Sequence, residues 1–303
     1  MENFILTIAF LLIGMGLRRL PVFPRETAQV LNLFVIHISL PALILLKVPQ
    51  LVFSRDVLTP VIMPWLMLGI SAAILLILAR LRHWSREITG ALLLLVPLGN
   101  TSFLGIPMVR AFAGEAGIPY AVLYDQLGSF MALSTYGTVI LAIYGGGGKG
   151  EKPQLRLIFK KVVTFPPFLA LLLALGLHGF VLPAPVIALF NSLAETLVPL
   201  VMIAVGYQLT LRLRPELLQP IGIGLSIKLV AAPLLALLGC QLFGIDVSSL
   251  AVRVAILEAG MPPMISAGAL AIMANMAPEL TAAMVGVGII LSFVTLPLIV
   301  QLL

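Results

Sequence analysis

The sequence predicts an all-α polytopic membrane protein: ten transmembrane helices in two inverted repeats of five, with the fourth and ninth helices broken. Three observations carry this. Stretches of about 20 apolar residues recur along all 303 residues, in a chain that is 61% hydrophobic and 10% charged with a mean hydropathy of +1.16. Five such stretches precede the Gly-rich segment Gly145–Pro153 and five follow it, and an odd number per half inserts the second half upside down relative to the first. Finally, the fourth and ninth stretches carry prolines and glycines that an ordinary spanning helix has no reason to collect.

In order, the expected spans cover roughly 3–17, 28–46, 58–79, 88–112 and 119–143, then 162–180, 185–209, 219–243, 248–275 and 279–302. The first is short, but it lacks the polar spacer and small-residue cleavage site of a signal peptide and so is a retained helix. Residues 1–143 are the first repeat, 144–161 a flexible basic cytoplasmic linker, and 162–303 the second repeat. Internal matches support the pairing of halves. Span 2 runs from Asn32 through His37 to Pro41, and span 7 from Asn191 through Glu195 to Pro199, each with an ionisable residue four before the proline. Spans 5 and 10 each carry a Ser-Phe pair, Ser129-Phe130 and Ser292-Phe293.

Charge sets the orientation. Thirteen of the 18 Lys and Arg residues fall in the loops after spans 1, 3, 5 and 7, which places those loops in the cytoplasm and both termini outside it, in a cell (inner) membrane. The net charge of +6 is therefore a matter of topology and lipid headgroups, with no nucleic-acid partner implied. The single cysteine, Cys240, excludes an intrachain disulfide and a cysteine metal cluster. The Gly-rich segment follows no strand and lacks Gly-Lys-Ser/Thr, so it is not a phosphate loop. No nucleophile–base pair or metalloenzyme cluster is present; an enzyme and a bound cofactor other than Na⁺ are not expected.

The breaks are the places to look for function. Pro97, Gly99, Gly105 and Pro107 interrupt span 4, and Pro262 and Pro263 interrupt span 9, where Gly260, Met261 and Pro262 are substrate-contact candidates. Backbone groups freed at membrane depth need a protein, water or ligand partner. Asn100, Thr101 and Ser102 offer an amide, hydroxyls and free N–H groups to an anion at a half-helix N-terminus, although Asn100 could also serve as a helix cap. Glu258, a carboxylate beside a break, is suited to bind Na⁺ with freed carbonyls or to exchange a proton; the alternative is an internal pair with Arg253. In span 5, Asp125 is a cation or proton candidate and Gln126 a substrate hydrogen-bonder, against the alternative that Asp125 neutralises Lys228 of span 8. Ser134 and Thr135 are further coupling candidates, or simply bond the carbonyl a turn earlier. His37 and Glu195 hold equivalent places, as a proton-coupling pair or as an interhelical hydrogen bond.

The stretch Gly99-Asn-Thr-Ser-Phe-Leu-Gly-Ile-Pro107, with Glu258-Ala-Gly-Met-Pro-Pro263 in span 9, resembles the auxin efflux carrier family, which holds plant auxin exporters and bacterial permeases for malate, malonate and other organic anions. The resemblance runs over essentially the whole chain. It implies the fold shared with sodium–bile acid symporters: broken fourth and ninth helices crossing at mid-membrane, a scaffold of spans 1, 2, 6 and 7, and a mobile transport domain of spans 3–5 and 8–10. It also implies substrate contact by Asn100 and a sodium-ligand position for Glu258. The short central loop is unlike that of the main plant exporters and favours a bacterial-type permease. The expectation is a secondary transporter of a small organic anion working by elevator-type alternating access, Na⁺- or H⁺-coupled, with a homodimer formed through the scaffold. A sodium/proton antiporter and a ligand-binding membrane sensor are the alternatives.

Overall fold

The computed structural model describes residues 2–51, 54–145, 155–180, 182–209 and 214–303. It is all-helical, with no strand among the described residues. The helical segments are α1 (Glu2–Leu17), α2 (Thr27–Gln50), α3 (Arg55–Leu81), α4 (Arg86–Leu95), α5 (Thr101–Ala113), α6 (Glu115–Tyr144), α7 (Leu155–Val163), α8 (Pro166–Gly176), α9 (Ala184–Gln208), α10 (Pro215–Leu242), α11 (Leu250–Ala259), α12 (Ile265–Met273) and α13 (Pro278–Leu302).

Among the described residues, six of these are long and apolar enough to cross a membrane: α2, α3, α6, α9, α10 and α13. The chain is a multi-pass membrane protein. The other expected spans are short or divided. The α1 helix has 16 residues, and the sixth span shrinks to α8, with 11, because Phe165 turns extended before the Pro166-Pro167 pair. The fourth span is split into α4 and α5, and the ninth into α11 and α12. Half of the expected linker, residues 146–154, lies outside the described residues, but its last part differs from the expectation of a flexible segment: it belongs to the helix Leu155–Val163. Apolar residues alternate there with Arg156 and Lys160 at helical spacing, and both cations are exposed.

Contacts concentrate in two compact units. Unit 1 comprises residues Met1–Ser54, Ser102–Val122 and Lys160–Leu209. Here α1 lies along α9, and α2 packs on α8 and α9. The α1–α9 approach is backbone on backbone: a Cβ at Gly14 would stand 2.1 Å from the Ile203 carbonyl oxygen, and one at Gly206 would stand 2.0 Å from that of Leu11. Hydrocarbon gives apolar side chains no reason to leave lipid, so close packing through small residues supplies the attraction. The Tyr207 hydroxyl donates to the Phe23 and Pro24 carbonyls (3.1 and 3.0 Å), and Ser39 and Thr196 hydroxyls join α2 to α9 at 2.7 Å. Near one end, Glu115 is held by Lys47 (2.7 Å) and Arg110 (2.6 Å).

Unit 2 comprises residues Arg55–Thr101, Leu123–Phe159 and Thr210–Leu303. At its centre are α4 and α11, whose residues Thr89–Leu95 and Val254–Ala259 are all buried. The buried stretch of α4 is apolar apart from Thr89, and that of α11 apart from Glu258, as helices enclosed on every side require. The start of α4 is capped by Ser85, whose hydroxyl accepts from the Ile88 N–H at 3.3 Å. The backbone N–H of Glu87 and the Ser85 hydroxyl hold the Glu87 carboxyl below the usual carboxylate range. Around this centre, α3 packs on α11 and on the Tyr124–Phe130 turn of α6, and α10 and α13 close the far side.

Candidate functional site

The site is built where two helices stop. In unit 2, α4 ends at Leu95 and α5 begins at Thr101; α11 ends at Ala259 and α12 begins at Ile265. The two gaps lie antiparallel to each other. The Asn100 N–H donates to the Pro262 carbonyl (2.8 Å), the Met264 N–H donates to the Leu98 carbonyl (3.0 Å), and Gly99 faces Pro263 between them. Each gap thus supplies the main-chain partner that the other needs away from water. Proline at 263 costs this ladder nothing, because its position falls between the two hydrogen bonds rather than on one. Gly260, Met261, Pro262 and Pro263 are all buried, and a Cβ at Gly260 would come within 2.8 Å of Ile299.

Polar side chains gather at this pairing. Asn100 is 3% exposed, and its Nδ2 has no hydrogen-bond partner among the described residues. Thr101 donates its hydroxyl to Asp125 Oδ1 at 2.5 Å, and Gln126 Nε2 donates to Asp125 Oδ2 at 2.6 Å, leaving Gln126 Oε1 buried without a partner. Glu258 is wholly buried, and neither of its carboxylate oxygens meets a hydrogen-bond partner among the described residues. It feels the charges of both Asp125 and Lys228. Lys228 is itself buried in α10, its Nζ donating to the Ala259 carbonyl at 3.1 Å.

A common local feature positions these residues. Helices α5, α6 and α10 each widen into π-type turns: Thr101–Gly105, Tyr124–Phe130, Leu133–Gly137 and Ile227–Ala231. These turns hold Thr101, Asp125 and Gln126, Ser134 and Thr135, and Lys228. A widened turn rotates side chains off the regular helical face and frees carbonyls, and such turns recur at functional sites. One freed carbonyl is visible at Leu127, which accepts from Trp65 Nε1 at 3.0 Å.

Several sequence expectations are revised. Gly105 and Pro107 do not break the chain: the wide turn Thr101–Gly105 runs straight into the regular helix Ile106–Ala113, with Pro107 its second residue. The interruption lies at 96–100, with Pro97 and Gly99. Glu258 does not pair with Arg253, nor Lys228 with Asp125: among the described residues neither cation forms a contact ion pair. Thr135 turns its hydroxyl to the Met131 carbonyl (2.8 Å), whereas Ser134 Oγ is buried without a partner among the described residues. Ser102 lies one residue past Thr101, partly exposed, in the stretch of α5 that belongs to unit 1. His37 and Glu195 are both exposed in unit 1, and His37 Nδ1 meets its own Leu33 carbonyl at 2.9 Å, so the interhelical bond between their helices is made by Ser39 and Thr196 instead. Lys228 is the site residue that sequence reasoning placed least well. Its signal, a lysine inside a span, was in plain view, but only as a neutraliser for Asp125.

The family described as "Membrane transport protein" matches residues 1–300. An "Uncharacterized transporter" of Methanothermobacter thermautotrophicus is 30% identical over 98% of this chain and 96% of its own length. Another transporter of that description, from Methanocaldococcus jannaschii, is 29% identical over 69% of each chain. A Rhizobium meliloti protein named "Putative malonate transporter" is 26% identical over 80% of this chain and 77% of its own. With a family match from end to end, the chain belongs to the membrane transport protein family, that of the auxin efflux carriers.

Proposed function

We propose that the protein is a secondary transporter of a small organic anion, a mono- or dicarboxylate of the size of malonate or malate. The observation that carries this is a pair of buried groups without protein partners at the paired breaks: the Asn100 amide N–H, a donor for an anion, and the Glu258 carboxylate, an acceptor for a cation. A buried donor left unmade costs about 1–3 kcal/mol, and a charged group more, so evolution retains such groups where a ligand meets them. Two carboxylate oxygens and freed carbonyls suit Na⁺, and the same carboxylate suits a proton; the Glu258 site fits either coupling ion. The name of the Rhizobium relative supports malonate as the first substrate to try.

The fold in this reading has ten spans in two inverted repeats, α4–α5 and α11–α12 counting as the divided fourth and ninth. Alternating access is elevator-like: the bundle that carries the paired breaks moves as a body and exposes Asn100 and Glu258 to either side in turn. Exposed His37, Asn191 and Glu195 within α2 and α9 are costly in lipid, which supports a second copy covering that face.

Flux in proteoliposomes with labelled malonate and a panel of carboxylates, with and without inward Na⁺ and proton gradients, is the test. The reading expects concentrative carboxylate uptake driven by one of the gradients. Cation exchange without carboxylate flux would make the protein an antiporter, and binding without flux a sensor.

A further inference from the structure

We propose that Lys228 is a tethered cation of the coupling site: its ammonium fills one cation place at the paired breaks and lowers by one the number of mobile cations the site takes. This rests on the transporter reading above for the role of the site, though not for the existence of the ammonium in it.

Three structural features lead there. First, Lys228 reaches the position an ion would seek. Its Nζ donates to the Ala259 carbonyl, the last of α11, at the negative end of the α11 dipole and among the carbonyls freed by the break. Second, the structure makes room for it. A Cβ at Gly99 would stand 3.1 Å from Nζ and 3.5 Å from Cε, so the missing side chain at 99 lets the ammonium lie against the other break. Third, the charges do not balance without a visitor. Asp125, Glu258 and Lys228 are 1%, 0% and 4% exposed, two carboxylates against one ammonium. Asp125 is already engaged by Thr101 and Gln126, whereas both oxygens of Glu258 are open. In a medium of low dielectric the leftover negative charge calls for one positive charge, Na⁺ or a proton, at Glu258. Without the Lys228 ammonium the same cluster calls for two. Lysine suits the role because its charge is a compact point at the end of a long stem.

The test counts cations on purified protein without substrate. The rise in melting temperature with the logarithm of cation concentration grows in proportion to the number of cations bound. One arm varies Na⁺ at fixed pH and the other varies pH at fixed Na⁺, which separates the two sources of charge. Lys228→Met is expected to take one more cation than wild type, doubling the slope if the wild type takes one. Lys228→Arg keeps the wild-type slope. Asp125→Asn/Lys228→Met has the net charge of the wild-type cluster and returns to the wild-type slope; should the single variant not fold, this double variant carries the test. A slope unchanged by Lys228→Met in both arms, or a double variant that binds no cation where the wild type binds one, overturns the proposal. The absolute wild-type count and the carboxylate flux judge the transporter reading; the difference between variants judges Lys228.

Discussion

Asn100 and Glu258 are alike in burial and opposite in need, one an unmet donor and the other an unmet acceptor. Asn100→Ala removes the donor and leaves the main-chain bond from residue 100 to the Pro262 carbonyl in place. A hydrogen bond to a charged group is worth about 1.5–3 kcal/mol, so malonate affinity should fall by about 10- to 100-fold, read by calorimetry or fluorescence titration, with the melting temperature little changed. A wild-type dissociation constant would reduce Asn100 to a residue that shapes the helix end. Glu258→Gln keeps size and removes charge; uptake in this variant should lose its dependence on Na⁺ and proton gradients, and retained dependence would move coupling elsewhere. Both residues stand out in the sequence because a polar side chain beside proline and glycine has few structural uses in a membrane. Lys228 was harder to place, since the carbonyl it meets belongs to a break in a distant span, and which carbonyls a break frees is a matter of packing.

At the level of helices, the sequence showed that spans 4 and 9 are interrupted but misjudged where span 4 stops. Pro97 and Gly99 mark the true gap, while Gly105 and Pro107 are absorbed because a widened turn has already loosened the hydrogen-bond ladder ahead of the proline. Such turns leave no mark in hydrophobic periodicity, which is why the alignment of Thr101, Asp125, Ser134 and Lys228 with them was not legible. The glycines that matter for packing were equally silent. In α9, Gly206 lies so close to α1 that a methyl group would overlap the Leu11 carbonyl oxygen. Gly206→Ala should therefore destabilise the protein by about 1–3 kcal/mol, the usual cost of overpacking, seen as a lowered melting temperature in detergent. Gly222→Ala, where nothing lies near the added atom, is the matched control and should be neutral. Equal stability of the two variants would mean that α1 and α9 are not packed backbone to backbone.

For the molecule as a whole, the distribution of Lys and Arg predicts the orientation in the bilayer, and composition alone was enough to establish a multi-pass helical protein. Arg82 and Gln301 are both exposed. In a Cys240→Ser background, Gln301→Cys should react with a membrane-impermeant maleimide on intact cells, and Arg82→Cys only after the membrane is opened. The reverse pattern would turn the topology over and exchange the two faces of the proposed transport cycle. The main-chain pairing of Leu98–Asn100 with Pro262–Met264 bears also on how the protein is made. When the ribosome has delivered the first half of the chain, the Leu98 carbonyl and the Asn100 N–H are made while their partners are still unsynthesised, and they wait for Pro262 and Met264 in the second half. A nascent chain halted before that point carries a main-chain donor and acceptor without the partners that the finished molecule supplies.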